Sequence, residues 1–327
     1  MNSISAEQVF SIDSRSQFDS VALEIFQTQA LQCPVYSEFI RGLGIDPPSV
    51  QKISAIPFLP IQFFKSHSVI SGDKNPAITF SSSATGGIQS KHHVSDLSIY
   101  ERSFRDGFKK FYGDIDQYAI LALLPSYLER EGSSLIYMVD DLIRESADSR
   151  SGYFLHNHAD LYYTLLELKE KNTPTILIGV TYALLDFAEQ CKIDFPELIV
   201  IETGGMKGKR KELIREELHA VLYEGFGVSA IHSEYGMTEL LSQAWSRGKG
   251  IFACPPWMRI SIRDINDPFD LLDTGKTGGI NVIDLANLNS CSFIATQDLG
   301  RLRPDGNFEV LGRFDNSDMR GCNLMVE

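Results

Sequence analysis

The sequence predicts an α/β protein built on mixed and parallel sheets flanked by helices, with a smaller β-rich part at the C-terminal end. Three observations carry this. Short, unbroken runs of β-branched and aliphatic residues ("YAILALLP", "PTILIGV", "ELIVIET", "GVSAIH") recur along the middle of the chain. Amphipathic helical patterns separate them, and strands buried on both faces between helices are the mark of a covered, largely parallel sheet. From about residue 250 the rhythm changes to short strands joined by turns, "MRISIRD", "GGINVIDL", "CSFIAT" and "NFEVLGR". The expected division is therefore an α/β core over 1–250 and a β-rich subdomain with a short tail over 251–327.

Taken in order, residues 15–43 read as one helix, with Phe18, Val21, Leu23, Ile25 and Phe26 as a rough apolar stripe. Four prolines over 46–60 force an irregular connection. "AITFSSSATGG" reads as a strand running into a small-residue loop. Helices are expected over 96–111, 159–171, 181–190 and 208–223, each followed by one of the buried strands.

With 327 residues, 43% hydrophobic and 22% charged, the composition is globular. The net charge of −13 argues against nucleic acid and against electrostatic docking on anionic membranes, both of which need basic surface. No secretion signal is read at "MNSISAEQVF". The longest apolar run, "YAILALLPSYL", is too short to span a bilayer and contains a proline. Five scattered cysteines without zinc spacing point to reduced thiols, hence to the cytoplasm.

Five segments carry residue types suited to chemistry. "FSSSATGGIQSK" (80–91) offers Ser81, Ser82, Ser83, Thr85 and Gly86 after a strand, with Lys91 nearby as a cation. Curled backbone and hydroxyls make an anion nest, although a plain Ser/Gly surface loop accounts for the composition equally well. Gly204–Gly205 end a strand where open α/β sheets bind ligands; read alone, a tight turn is the simpler account. "SEYGMTEL" (233–240) gathers Tyr235, Gly236, Thr238 and Glu239: a ring face, a close-approach point, a hydroxyl and a hard oxygen suited to Mg²⁺. Asp298, expected just after a strand, can accept two ribose hydroxyls. In "LGRFDNSDMRGCNL" (311–324), Arg313 is a fixed cation beside a turn or hinge.

Singly these are weak, but their order from about 80 to 321 resembles the adenylate-forming superfamily of acyl-CoA synthetases, luciferases and adenylation domains. The ending "SDMRGCNLMVE", the internal segment "ACPPWMRI" and the loop "SSSATGG" resemble, more narrowly, the acyl-protein synthetases of bacterial luminescence operons (the LuxE family). The resemblance implies an N-terminal-lobe adenylation fold without the usual mobile C-terminal lobe. It implies an ATP- and Mg²⁺-dependent ligase that converts a fatty or related carboxylic acid to acyl-AMP. The acyl group then passes to a cysteine near the C-terminus, matched here by Cys322, for hand-over to an acyl reductase or a carrier protein.

Carried over, Ser81, Ser82, Ser83, Thr85 and Gly86 would form the phosphate loop. Gly204 and Gly205 would flank adenine, and Tyr235 would stack on it. Thr238 would hold the α-phosphate, Glu239 the metal, and Asp298 the ribose with Arg313 nearby. Lys91 stands as the loop's cation, although Ile88–Gln89 occupy the place of the family's Pro-Lys. Two other readings are kept: an acyl- or aryl-CoA ligase of the phenylacetate type, and a non-catalytic scaffold of a reductase complex.

Overall fold

The computed structural model describes residues 4–83, 87–124, 132–155, 157–204 and 213–314. The strands are β1 (Leu59–Pro60), β2 (Ile78–Ser81), β3 (Lys91–Val94), β4 (Ala119–Leu123), β5 (Gly152–Tyr153), β6 (Thr175–Val180), β7 (Ile199–Thr203), β8 (Ile231–Tyr235), β9 (Ala244–Ser246), β10 (Ile251–Ala253), β11 (Met258–Arg263), β12 (Thr277–Asp284), β13 (Phe293–Leu302) and β14 (Phe308–Arg313). The α-helices are α1 (Ala6–Phe10), α2 (Arg15–Gln32), α3 (Pro34–Gly42), α4 (Phe63–Ser66), α5 (Leu97–Tyr112), α6 (Ser134–Glu145), α7 (His158–Glu170), α8 (Thr181–Gln190) and α9 (Arg215–Phe226).

A single mixed sheet organises the chain. Its order is β11-β12-β13-β14-β10-β9-β8-β7-β6-β4-β5, with β1 added in parallel to β13. The pairs β5–β4, β4–β6, β6–β7 and β7–β8 are parallel, and from β8 onward the main run is antiparallel. β4 and β6 are buried at every position, as strands covered on both faces must be. The C-terminal strands thus continue the same sheet through β9 and β10. A separate β2–β3 hairpin stands apart from it.

The helices and strands depart from the sequence reading in four places, each for a local reason. The predicted helix over 15–43 is two helices, because Pro34 has no N–H to donate and begins α3 at its first position instead. Phe18, Val21, Ile25 and Phe26 of the expected stripe are buried as read. α6 was not foreseen, although Ser133 caps it by accepting the Ile136 N–H. Its buried Asp141 takes two hydrogen bonds from Arg105 of α5, at 2.7 and 2.6 Å. The charged helix expected over 208–223 is α9, beginning at Arg215; residues 205–212 lie outside the described ones.

The fourth departure matters most for the site. The strand expected over 227–232 starts at Ile231 and runs through Tyr235. Gly227 (φ 67°) caps α9 in the left-handed region, which keeps it out of the strand. Ser233 and Glu234 tolerate a central strand because β7 supplies partners. The Ser233 hydroxyl donates to Glu202 (2.9 Å) and the Thr203 hydroxyl to Glu234 (2.7 Å). Among the described residues no helix is long and apolar enough to cross a membrane.

Candidate active site

Parallel strands β4, β6, β7 and β8 all end at one edge, the place where open α/β sheets leave room for ligands. Thr181 starts α8 directly after β6, and its hydroxyl donates to the Gly204 carbonyl (3.1 Å) and to Glu202 (3.0 Å). That fixes the end of β7. Gly204 itself takes φ 60°, which a side chain would oppose, and is exposed at the edge. Gly205 lies outside the described residues.

Tyr235 closes β8. Its ring packs edge-on against Phe252 (5.9 Å) and Phe308 (5.5 Å), and its hydroxyl donates to Asp298 Oδ2 at 2.8 Å. Burial and the neighbouring carboxylate push the phenol well above its ordinary pKa, so it remains a donor. Asp298 does not follow a strand, as expected, but sits within β13 opposite Arg313 of β14. The Arg313 Nε donates to Asp298 Oδ1 at 3.1 Å while the rest of that side chain stays exposed. Tyr235, Asp298 and Arg313 are therefore brought together from three strands.

Beneath them lies a buried cation that sequence reasoning did not single out. Arg263 donates to the carbonyls of Ile280 (2.8 Å) and Thr296 (2.5 Å) and to the Asn281 side chain (2.8 Å). A Cβ on Gly279 would meet its guanidinium at 2.6 Å, so the glycine leaves it room. Desolvation lowers its pKa to about 10, with the nearby Tyr235 and Asp298 opposing that change.

Gly236 turns the chain after Tyr235. A Cβ there would lie 2.3 Å from Glu234 Oε1 and 3.3 Å from Gln243 Cγ. The following segment is stapled to the β2–β3 hairpin. Ser81 pairs with Lys91 across that hairpin, and Ser82 Oγ accepts the Ser90 N–H at 2.9 Å. The Ser90 side chain in turn hydrogen-bonds the buried Glu239 carboxyl. His92 bonds the Thr238 carbonyl (Nδ1, 3.0 Å) and the Ser290 hydroxyl (Nε2, 2.9 Å).

Because a carbonyl only accepts, Nδ1 of His92 carries the proton and Nε2 accepts. Burial lowers the ring's pKa to about 4, so it is neutral at pH 7. The structure makes His92 a buried link and leaves His93 half-buried, bonded to Thr79 at 2.9 Å. Lys91 and Ser83 are exposed; Thr85, Gly86 and Cys322 lie outside the described residues.

Asp284 and Asn287, also not anticipated, hold the other side of the segment. Asp284 accepts the N–H groups of Leu241 and Ser242 (both 2.9 Å) and the Ser242 hydroxyl (2.6 Å). Asn287 Nδ2 donates to the Glu239 carbonyl at 2.9 Å. Their signal was "INVIDLANLN", where an acid and an amide end an otherwise apolar strand. Their partners lie more than forty positions away, which no local pattern reveals.

Desolvation raises the Glu239 pKa, opposed by the Ser90 hydrogen bond and by the charges of Arg313 and Lys65. A buried carboxylate with few donors suits a hard cation. Among the described residues no three His, Cys, Asp or Glu side chains gather as a metal cage. The donor here for a hard cation is the buried Glu239 carboxylate, and a single carboxylate is how Mg²⁺ is commonly held, with phosphate and water in the remaining positions.

A family model described as "Acyl-protein synthetase, LuxE" matches residues 5–327, and the chain belongs to that family. No curated protein matches it. Solved structures share its fold. ATP-bound MatB from Rhodopseudomonas palustris is 16% identical with a TM-score of 0.55, covering 72% of this chain and 47% of its own. A 2-hydroxyisobutyryl-CoA ligase in complex with 2-HIB-AMP and CoA is 12% identical with a TM-score of 0.68, covering 93% and 70%. A luciferase-like enzyme from the mealworm Zophobas morio is 15% identical with a TM-score of 0.50, covering 75% and 60%. The chain spans about half the length of the MatB structure. The fold is that of adenylate-forming enzymes.

Proposed function

We propose that the protein activates a fatty or related carboxylic acid with ATP and passes the acyl group to the thiol of Cys322. The observation that carries this reading is the convergence of Tyr235, Asp298 and Arg313 at the sheet edge beside the stapled Ser90–Glu239 pair, in a chain of the LuxE family. A free carboxylate is a poor acyl donor because its leaving group would be oxide. Attack of a carboxylate oxygen on the α-phosphorus breaks the bond to the bridging oxygen. Pyrophosphate departs with that electron pair and leaves an acyl-adenylate. Thiolate attack on the acyl carbon then releases AMP and forms a thioester.

In this reading Asp298 accepts the ribose hydroxyls, with the Arg313 guanidinium donating to its carboxylate. Tyr235 forms an apolar wall for the purine beside Gly204 and Gly205. Ser81, Ser82, Ser83, Thr85 and Gly86 supply donors to the phosphates, Thr238 its hydroxyl and Lys91 a cation. Glu239 would hold Mg²⁺, which when bound stabilises charge on phosphate oxygens. Burial pushes the thiols of Cys33, Cys254 and Cys291 up, which disfavours the reactive thiolate at each. That supports an acceptor among the two remaining cysteines, Cys191 and Cys322, of which Cys322 is the one the family resemblance matches. The acyl reductase or carrier protein that would receive the acyl group belongs to the same proposal.

Incubation with labelled acids, ATP and Mg²⁺, followed by mass mapping, tests it. Cys322→Ser is expected to keep acid-dependent ATP–pyrophosphate exchange and lose the covalent acyl label. Label at another cysteine overturns the acceptor assignment. Efficient acyl-CoA formation by the Cys322→Ser variant would favour a CoA ligase, and absence of exchange with every acid a scaffold.

A further inference from the structure

A cleft of about 430 Å³ opens between α4 and the outer side of the β2–β3 hairpin. That volume lies in the usual range for small-ligand sites. Its polar lining is Lys65, His67, Gln89, Lys91 and His93, with the hydroxyls of Ser66 and Ser68. Among the described residues no carboxylate lines it, in a chain that carries 43 acids and a net charge of −13. A concavity with two lysines, two imidazoles and no acid is a local inversion of the protein's field, and such a concavity attracts an anion.

Its position relates it to the site already described. Lys91 and His93 flank His92 on β3, and alternation along a strand sets them on the side away from the Thr238 carbonyl that His92 bonds. α4 closes the other wall. Buried Phe64 meets the His92 ring edge-on at 5.5 Å, which fixes the helix against the hairpin. Next to it, Lys65 lies on the cleft. Through Phe64 and His92, α4 is tied to the turn that carries Thr238 and Glu239. His67 is held by stacking on Phe63 (5.2 Å) and by the Ser66 hydroxyl (2.8 Å), so its ring is placed rather than free.

We propose that this cleft binds inorganic pyrophosphate as it leaves the nucleotide, with Lys65 as the principal cation. The inference rests on the adenylation reading, because that reaction generates a polyanion at this edge of the protein. The bond between the α-phosphorus and the bridging oxygen breaks, and pyrophosphate carries away the electron pair and its negative charge. Lysine suits a departing phosphate as a mobile point charge with three donors. Lys91 and the hydroxyls of Ser66 and Ser68 add donors along the way out.

The test titrates inorganic pyrophosphate and, separately, AMP into the full-length protein and into Lys65→Ala, Lys65→Arg and Lys91→Ala variants. Lys65 is exposed, so loss of fold is not expected, and a thermal melt of each variant checks this. Lys65→Ala is expected to weaken pyrophosphate binding at least tenfold while AMP changes less than twofold. Lys65→Arg restores most of the loss, and Lys91→Ala gives a smaller one. If the wild-type protein binds AMP but Lys65→Ala binds pyrophosphate as tightly as wild type, the inference falls and the adenylation reading stands. If wild type binds neither AMP nor pyrophosphate, both fall.

Discussion

The Tyr235 hydroxyl and the Asp298 carboxylate are each other's partners in a nearly dry setting, so removing one changes what the other costs. Asp298→Ala leaves a buried phenol to the Thr296 hydroxyl. The expected destabilisation is about 1–2 kcal/mol, together with a rise in ATP requirement of about tenfold. Tyr235→Phe keeps the ring packing on Phe252 and Phe308 and leaves Asp298 bonded to Arg313. In the Asp298→Ala background the same change removes a hydroxyl that has lost its carboxylate acceptor. The double variant should therefore be no less stable than Asp298→Ala, with a coupling of about 1 kcal/mol in denaturant titrations. Strict additivity would show that the hydrogen bond is inert. At this scale the sequence was legible where a residue's own chemistry announced it. Tyr235, Asp298 and Arg313 are polar or aromatic side chains in an order that resembles a family. His92, Asp284 and Asn287 were illegible because their role is to satisfy backbone groups of the 238–242 segment. Only tertiary structure supplies those partners.

Helices α8 and α9 pack together through Gly225. A Cβ there would lie 2.4 Å from the Cβ of Ala188, 3.0 Å from its Cα and 3.2 Å from its carbonyl oxygen. Two effects compete in Gly225→Ala. Helix propensity favours alanine by about 1 kcal/mol, and overpacking against another helix costs about 1–3 kcal/mol. The contact includes backbone atoms, which cannot rotate away, so the clash wins and the melting temperature should drop. Ala188→Gly in the same chain removes the nearest atom and should recover part of the loss. A Gly225→Ala protein as stable as wild type would mean that the helices can part freely. The elements themselves were readable wherever hydrophobic period and length agreed, as in β4, β6 and α8. α6 was lost behind the long apolar run before it. The end of β8 was misplaced because Ser233 and Glu234 look unlike strand residues until Glu202 and Thr203 are seen beside them.

Across the whole molecule, buried and half-buried titratable groups pull stability in opposite directions with pH. Desolvation raises Glu234 from 4.5 to about 7 and Asp284 from 3.8 to about 6. A raised acid is fully compatible with the fold below its unfolded pKa and loses that contribution as pH climbs through its folded one. Desolvation also lowers His92 and His232 from 6.5 to about 4. Their contribution is present above 6.5 and is lost as pH falls toward 4. The two pairs have shifts of similar size over nearly the same range, so their slopes offset between about pH 4.5 and 6. The joint contribution of these four groups is flat there. Above about pH 6.5 it declines, because Glu234 is still losing its proton. Glu234→Gln removes one falling contribution without changing the shape of the side chain. That variant should match wild type near pH 4.5 and exceed it by about 3 kcal/mol at pH 8, since each pKa unit is worth about 1.4 kcal/mol. Urea titrations of both proteins at several pH values measure the difference. A gap that stays constant with pH would show that the Glu234 carboxyl ionises in the folded protein as easily as in the unfolded chain, and would remove desolvation as the cause.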